Sequence, residues 1–194
     1  GSIKLAKEYL DGGGKPQELL EVCRRAMDAI GEKFEKGEYF LSELLLGGEI
    51  FKSIMEFVLP LLEESETTKL GTIVLGTVKD DIHSIGKDIF KAFAQAAGFE
   101  VIDLGVDVPE EKFVEAVREH KPDIVGMSCL ITAGISSMKR TREALRASGL
   151  EDIKIIIGGG RVDESVKQFV GADAWSDDAA RGVRICKELL GVEG

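Results

Sequence analysis

After Leu70 the chain repeats one unit five times: a short apolar run, a loop, then a stretch of helical periodicity. The apolar runs fall at about residues 72–75, 100–103, 124–127, 153–157 and 172–175. The helical stretches follow at about 85–97, 109–120, 135–148, 163–170 and 178–190. Runs such as Ile124-Val125-Gly126-Met127 and Ile155-Ile156-Ile157 do not alternate apolar with polar, so each strand needs cover on both faces. Such strands alternating with helices predict a parallel sheet with helices on either side. Five units predict the α/β class in its flavodoxin- or Rossmann-like form, a doubly wound five-stranded parallel sheet. Ligands of that architecture sit beyond the carboxyl ends of the strands, where the strand order reverses.

The first 68 residues follow a different pattern. Residues 3–10 have helical spacing that stops at Gly12-Gly13-Gly14, and Pro16 suits the first turn of a second helix. Leu19, Leu20, Cys23, Met27 and Ile30 form the apolar face of that helix, and Gly37 ends it. From Phe40 to Leu59 the apolar stripe is broad, the mark of a helix buried on most sides, and Pro60 interrupts it. The polar run at 63–69 reads as a linker. The expected organisation is an N-terminal helical bundle with its linker at 1–68 and an α/β domain at 69–194.

Charge narrows the partners. Lys+Arg is 25 against 35 Asp+Glu, a net charge of -10. That balance argues against nucleic acid, whose phosphates need cationic side chains, and against an anionic membrane surface. No apolar run approaches the ~20 residues of a membrane span. Cys23, Cys129 and Cys186 lie far apart without C-x-x-C spacing, so neither a disulfide framework nor a zinc site is indicated. No signal-peptide pattern appears, and the expectation is a cytoplasmic protein with reduced thiols.

Three loops concentrate residues able to do chemistry. Asp81-Ile82-His83-Ser84-Ile85-Gly86 joins the first strand to its helix. A carboxylate two residues before a histidine can hold one imidazole nitrogen and leave the other facing outward, as metal-ligating histidines require. Gly86 lets a bulky group approach the backbone. Ser128-Cys129-Leu130 ends the third run, with Thr132 on the same loop, and Gly158-Gly159-Gly160 ends the fourth. Three consecutive glycines are unfavourable in chain entropy unless the backbone needs the room. All three loops fall at strand carboxyl ends. Plainer readings stand beside these: His83 bonding locally, Asp81 or Asp80 capping the next helix, Ser128 capping, Trp175 packing in the core. His120, the other histidine, ends a helix, where positive charge is favourable. Gly86-Lys87-Asp88 is not a phosphate-binding loop, because the earlier glycine and the Ser/Thr are missing.

With D-x-H-x-x-G, S-x-L and the glycine triplet at these places, the chain resembles the small corrinoid (cobalamin-binding) proteins of anaerobic methyltransferase systems. It is similar also to the cobalamin module of methionine synthase. The resemblance implies that His83 is the lower axial ligand of cobalt, in place of the cofactor's own base, and that Asp81 holds its distal nitrogen. It puts Asp81, Ile82, His83, Ser84, Ile85 and Gly86 against the cofactor. Ser128, Leu130 and Thr132, with Gly158, Gly159 and Gly160, would then enclose the displaced nucleotide tail, and Trp175 would close the pocket wall. In methionine synthase a further serine, six positions after that of S-x-L, completes a proton relay; here that position is Gly134. Phe40, Leu44 and Leu45 are candidates for a cap over the upper face of the corrin. The implied function is a methyl carrier, loaded as cob(I)alamin by a substrate-specific methyltransferase and unloaded by a second one, to an acceptor such as tetrahydrofolate or coenzyme M. A reductive activase is a further implied partner. The alternatives are the cobalamin subunit of a radical isomerase, which shares these motifs but in which a separate helical cap is unexpected, a cobalamin-dependent sensor, which would need a DNA-binding segment, and a flavodoxin-like receiver or FMN module.

Overall fold

The computed structural model describes residues 1–61 and 69–192, so the expected linker at 63–69 lies, apart from Lys69, outside the described residues. Glycine and proline punctuate the N-terminal part as the sequence implies. Helix α1 (Ser2–Asp11) ends at Gly12, α2 (Pro16–Glu35) starts on its proline, and α3 (Leu41–Val58) runs into a single 3-10 turn at Leu59–Leu61. Pro60 therefore terminates α3 rather than kinking it. The backbone N–H of Phe40 donates to Glu43 at 2.9 Å, half of a capping box at the start of α3.

From Gly71 the elements alternate strictly: β1 (Gly71–Thr77), α4 (Ile85–Ala97), β2 (Phe99–Asp103), α5 (Glu110–His120), β3 (Ile124–Ser128), α6 (Thr132–Ala147), β4 (Lys154–Gly158), α7 (Glu164–Val170), β5 (Ala174–Ser176) and α8 (Ala179–Leu190). The strands form one parallel sheet in the order β2-β1-β3-β4-β5. The order reverses between β1 and β3, which places the ligand crevice of this architecture above their carboxyl ends. Two boundaries differ from expectation. Helix α6 begins at Thr132 and not near 135, so Thr132 is helical. Strand β5 starts at Ala174, because Asp173 just before it is tied to β4: its carboxylate accepts from the Ile155 amide at 2.7 Å and its own amide donates to the Ile155 carbonyl at 2.9 Å.

Each sheet face has its own core. Val74, Val125, Met127, Ile155 and Ile157 pack toward α5, α6 and α7. Ile73, Leu75, Ile124 and Ile156 pack toward α4 and α8. The second core does not stop at those helices: Leu44, Phe51, Ile54 and Met55 of α3, with Leu20 and Met27 of α2, continue it. Each large aliphatic or aromatic side chain buried there contributes about 1.5–3 kcal/mol, so the N-terminal helices are held by the same apolar cluster as the sheet. Gly31 of α2 lets the helices meet: a Cβ there would lie 2.5 Å from the Ala180 methyl on α8.

Candidate functional site at the carboxyl edge of the sheet

Strand register brings Thr77, Ser128, Gly158 and Ser176 side by side in one row. They are the last residues of four neighbouring strands, and the row below them, Leu75, Gly126, Ile156 and Ala174, is apolar. The period of two along each strand sets both rows on the face toward α4 and α8. Four small residues at the edge leave space, and a cavity of about 180 Å³ opens there. Leu75, Gly126 and Ile156 form its floor; Ile89 and Phe90 of α4 and Ala179 and Gly182 of α8 form its walls. Gly86, Ser128 and Gly158, Gly159 and Gly160 lie at its mouth, and Phe34, Leu41 and Leu44 reach it from the N-terminal helices.

Gly159 shows why this turn needs glycine. Its φ is +126°, and a Cβ would stand 1.8 Å from the Cys129 carbonyl oxygen. The β3 and β4 loops thus touch backbone to backbone. The Cys129 amide donates to the Gly158 carbonyl at 3.0 Å, which fixes that contact.

Beside the cavity, Asp81 is turned inward, with 1% of its surface exposed. Its Oδ1 accepts from the His83 amide at 2.9 Å and from the His83 ring at Nδ1, 2.6 Å away. Its Oδ2 accepts from the amides of Leu130 at 2.6 Å and Ile131 at 3.2 Å. Burial alone pushes this carboxyl up, but the four donors outweigh it and hold the pKa at about 2. Asp81 is therefore ionised and fully bonded, and it caps no helix; nor does Asp80, as α4 begins at Ile85 behind Ser84 without a side-chain cap. With Nδ1 donating to an ionised carboxylate, the lone pair of His83 lies on Nε2. The imidazole is half exposed, and the Thr77 hydroxyl steadies its backbone by donating to the His83 carbonyl at 2.9 Å.

Leu130 meets this cluster through its amide, while its side chain is exposed and lies over Gly160. Ile82 and Ile85 are 74% and 57% exposed, an apolar rim on either side of His83. Gly134, the position of the missing serine, has no room for one: a Cβ would be 2.5 Å from Cys129 Sγ. The Cys129 thiol donates to the Ile131 carbonyl at 2.8 Å, and burial, with the Asp81 charge next, pushes its pKa up to about 12.

Several expected positions lie elsewhere. Trp175 does not line the cavity. It faces the α5–α7 side, where its indole N–H donates to Glu164 at 2.9 Å and Arg181 stacks on the ring, because Ala174 and Ser176 take the cavity side of β5. Thr132 is exposed on the first turn of α6. Phe40 is 74% exposed and Leu45 borders a different cleft, between α3 and α4, so of the three candidate cap residues only Leu44 reaches the cavity.

Other residues escaped the sequence reading. Lys87 is 3% exposed; its ammonium donates to both oxygens of Asp103 at 2.8 Å and to Asp88 at 2.7 Å. Burial pushes its pKa down, and the two carboxylates more than reverse that. Gly182 was readable as a glycine inside a helical pattern, which often marks close packing; here Phe90 lies against it.

A single available imidazole nitrogen near an apolar cavity bordered by glycines and small residues fits a metal that brings its own macrocycle. Among the described residues no cluster of three or more His, Cys, Asp or Glu could hold a bare ion. This is the site of a B12-binding protein, and the chain belongs to that family: residues 71–184 match the B12 binding domain, and residues 1–59 match a second model of the same description. It is 41% identical over 97% of its length to trimethylamine corrinoid protein 1 of Methanosarcina acetivorans, covering 89% of that protein. Among solved structures it superimposes on a cobalamin-binding protein from Desulfitobacterium hafniense (TM-score 0.79, 43% identity, 96% of this chain and 89% of that one). It also superimposes on the methanol:cobalamin methyltransferase complex MtaBC of Methanosarcina barkeri (TM-score 0.79, 25% identity, 93% of this chain and 70% of that one). No helix among the described residues is long and apolar enough to cross a membrane.

Proposed function

We propose that this protein carries methyl groups on a bound corrinoid whose cobalt His83 would ligate. One observation carries the reading: His83 Nδ1 is fixed 2.6 Å from a buried carboxylate, which leaves Nε2 of the half-exposed ring as the available nitrogen. The relatives named for trimethylamine and for methanol:cobalamin methyltransferase support the class of reaction. The bound corrinoid supplies the cobalt that accepts and surrenders the methyl group. The chain's residues hold, orient and shield it.

His83 offers Nε2, a borderline nitrogen donor suited to cobalt. Asp81 sets the tautomer and the ring direction and strengthens the donor. Each Asp81 oxygen already accepts from two donors, so the carboxylate would hold the imidazole in place rather than hand a proton on to a further side chain. Ser128 and the glycines at 158–160 border the space for the nucleotide tail, and Ile82, Ile85 and Leu130 offer apolar surface to the ring. Leu44 and Leu41 close the cavity from the N-terminal helices. The partners are a methyltransferase that loads the carrier, a second that unloads it to an acceptor such as tetrahydrofolate or coenzyme M, and an activase that restores the reduced metal.

The test is the absorption spectrum of the protein reconstituted with hydroxocobalamin, beside that of His83→Ala. The expected result is stoichiometric uptake with base-off, histidine-on bands that the variant lacks. Failure of the unaltered protein to take up any corrinoid refutes the proposal.

A further inference from the structure

The loop after β2, which no motif marks, is bonded along its length to the end of β1 and to the loop that carries His83. The Leu104 amide donates to the Leu75 carbonyl at 2.8 Å, the Thr77 amide to Gly105 at 3.0 Å, and the Val108 amide to Thr77 at 3.0 Å. Nearest the histidine, Asp107 makes the last links. Its amide donates to the Asp81 carbonyl at 2.9 Å. Its carboxylate accepts from the Asp80 amide at 2.9 Å and from Lys79 Nζ at 2.9 and 3.0 Å.

The link matters because of backbone conformation. Asp80 has φ +71° and Asp107 φ +53°, both in the left-handed region that L-residues avoid. Asp80 immediately precedes the residue that holds the His83 ring, so its φ and ψ decide where the Asp81 carboxylate aims. A left-handed aspartate persists only where its surroundings over-determine it. The Asp80 side chain is held loosely, by Arg140 at 3.6 Å and the Ser137 hydroxyl at 3.5 Å. Its amide is held by Asp107. The Lys79 ion pair adds little, because the two side chains are 41% and 44% exposed and an exposed pair is screened.

We infer that Asp107 is a positioning residue for the cobalt ligand: its carboxylate locks Asp80 in the left-handed turn and thereby aims Asp81 and His83. The inference rests on the reading of His83 as ligand. It distinguishes two replacements. Asp107→Asn keeps an oxygen for the Asp80 amide and loses only the ion pair. Asp107→Gly removes the acceptor, keeps the amide that bonds Asp81, and places no strain on its own positive φ.

Two measurements read the result. The first is the nitrogen splitting in the electron paramagnetic resonance of bound cob(II)alamin, in protein with isotopically labelled histidine nitrogen so that the cofactor's own base is told apart, which reports the fraction of protein with histidine on cobalt. The second is hydrogen exchange of the amides of residues 80–84 in the cofactor-free protein. The inference expects Asp107→Asn to match the unaltered protein. It expects Asp107→Gly to lower the histidine-on ratio and to speed exchange by about fivefold or more, while corrinoid is still bound. Adding Asp80→Gly, which adopts the turn without help, restores part of the splitting. If Asp107→Gly alone does not fold, the comparison is made in the Asp80→Gly background, where the inference expects Asp107→Gly to change the splitting little, because the turn no longer needs the lock. Full splitting and unchanged exchange in the acceptor-free variant overturn the inference and leave the ligand assignment intact. Absence of nitrogen splitting in the unaltered protein, with corrinoid bound, overturns the ligand assignment and the inference with it.

Discussion

Replacing Asp81 by asparagine keeps the shape of the side chain and removes what the site uses. Four donors converge on two carboxylate oxygens: the His83 amide and ring at 2.9 and 2.6 Å, and the Leu130 and Ile131 amides at 2.6 and 3.2 Å. An amide has one oxygen. With that oxygen toward Leu130 and Ile131, the NH₂ faces His83, and the ring must accept at Nδ1 and carry its proton on Nε2, which closes the outward nitrogen to a metal. The opposite orientation points two hydrogens at two backbone donors. The carboxylate's fall from about 3.9 in an unfolded chain to about 2 in the fold corresponds to roughly 2–3 kcal/mol at neutral pH. Because the folded value is the lower one, that stabilisation is complete above about pH 5, roughly half gone by pH 3, and lost as the pH falls through about 2. Urea unfolding of the cofactor-free proteins should place Asp81→Asn about 2–3 kcal/mol below the original at pH 7, with the gap narrowing from pH 5 to pH 3. Reconstituted at pH 7, the variant should show no histidine-on bands. Equal urea midpoints at pH 7, or a gap that stays constant in acid, would refute the account of Asp81 as an ionised, four-donor anchor.

Two further outcomes follow from packing. Gly159→Ala should cost about 3 kcal/mol or more in thermal or urea unfolding, because the new methyl meets a backbone oxygen at 1.8 Å and φ is +126°; Gly160→Ala, whose methyl meets only the end of Leu130 at 2.9 Å, should cost under about 1 kcal/mol. Lys87→Met should cost about 2–3 kcal/mol by urea titration, less than a fully isolated buried pair, because Lys91 and the Gly105 amide still reach Asp103. Lys91→Ala, at a side chain 34% exposed, should cost under about 1 kcal/mol. The reverse ranking of the two lysines would contradict the assignment of Lys87 as the buried anchor.

The sheet was legible because its strands are unbroken apolar runs, and a parallel sheet allows few arrangements for them. The loops carrying Asp81, Ser128 and Gly158 were legible as strand ends for the same reason. What periodicity did not show is how loops converge. Leu130 reads as an apolar side chain, yet what touches Asp81 is its amide. Trp175 sits in the right strand on the wrong face, a matter of one residue in a three-residue strand whose start is fixed by Asp173 bonding to β4. Lys87 reads as a surface charge on an amphipathic helix until Asp103, sixteen residues on, comes up beside it. Gly134 showed that a serine was missing, but only the Cys129 sulfur beside it shows why none fits.

Leu130 belongs to two structures at once. Its amide anchors the carboxylate under His83, and its side chain lies over Gly160 at the mouth of the cavity, next to the peptide of Cys129 that presses on Gly159. Under the proposed function, filling the cavity with a nucleotide tail and drawing His83 onto cobalt both act on that one peptide. They form a linked pair in the thermodynamic sense: whatever free energy the tail lends to ligation, ligation returns to the tail in equal measure. Any weakening of the bond from His83 would then also weaken the hold on the far end of the cofactor.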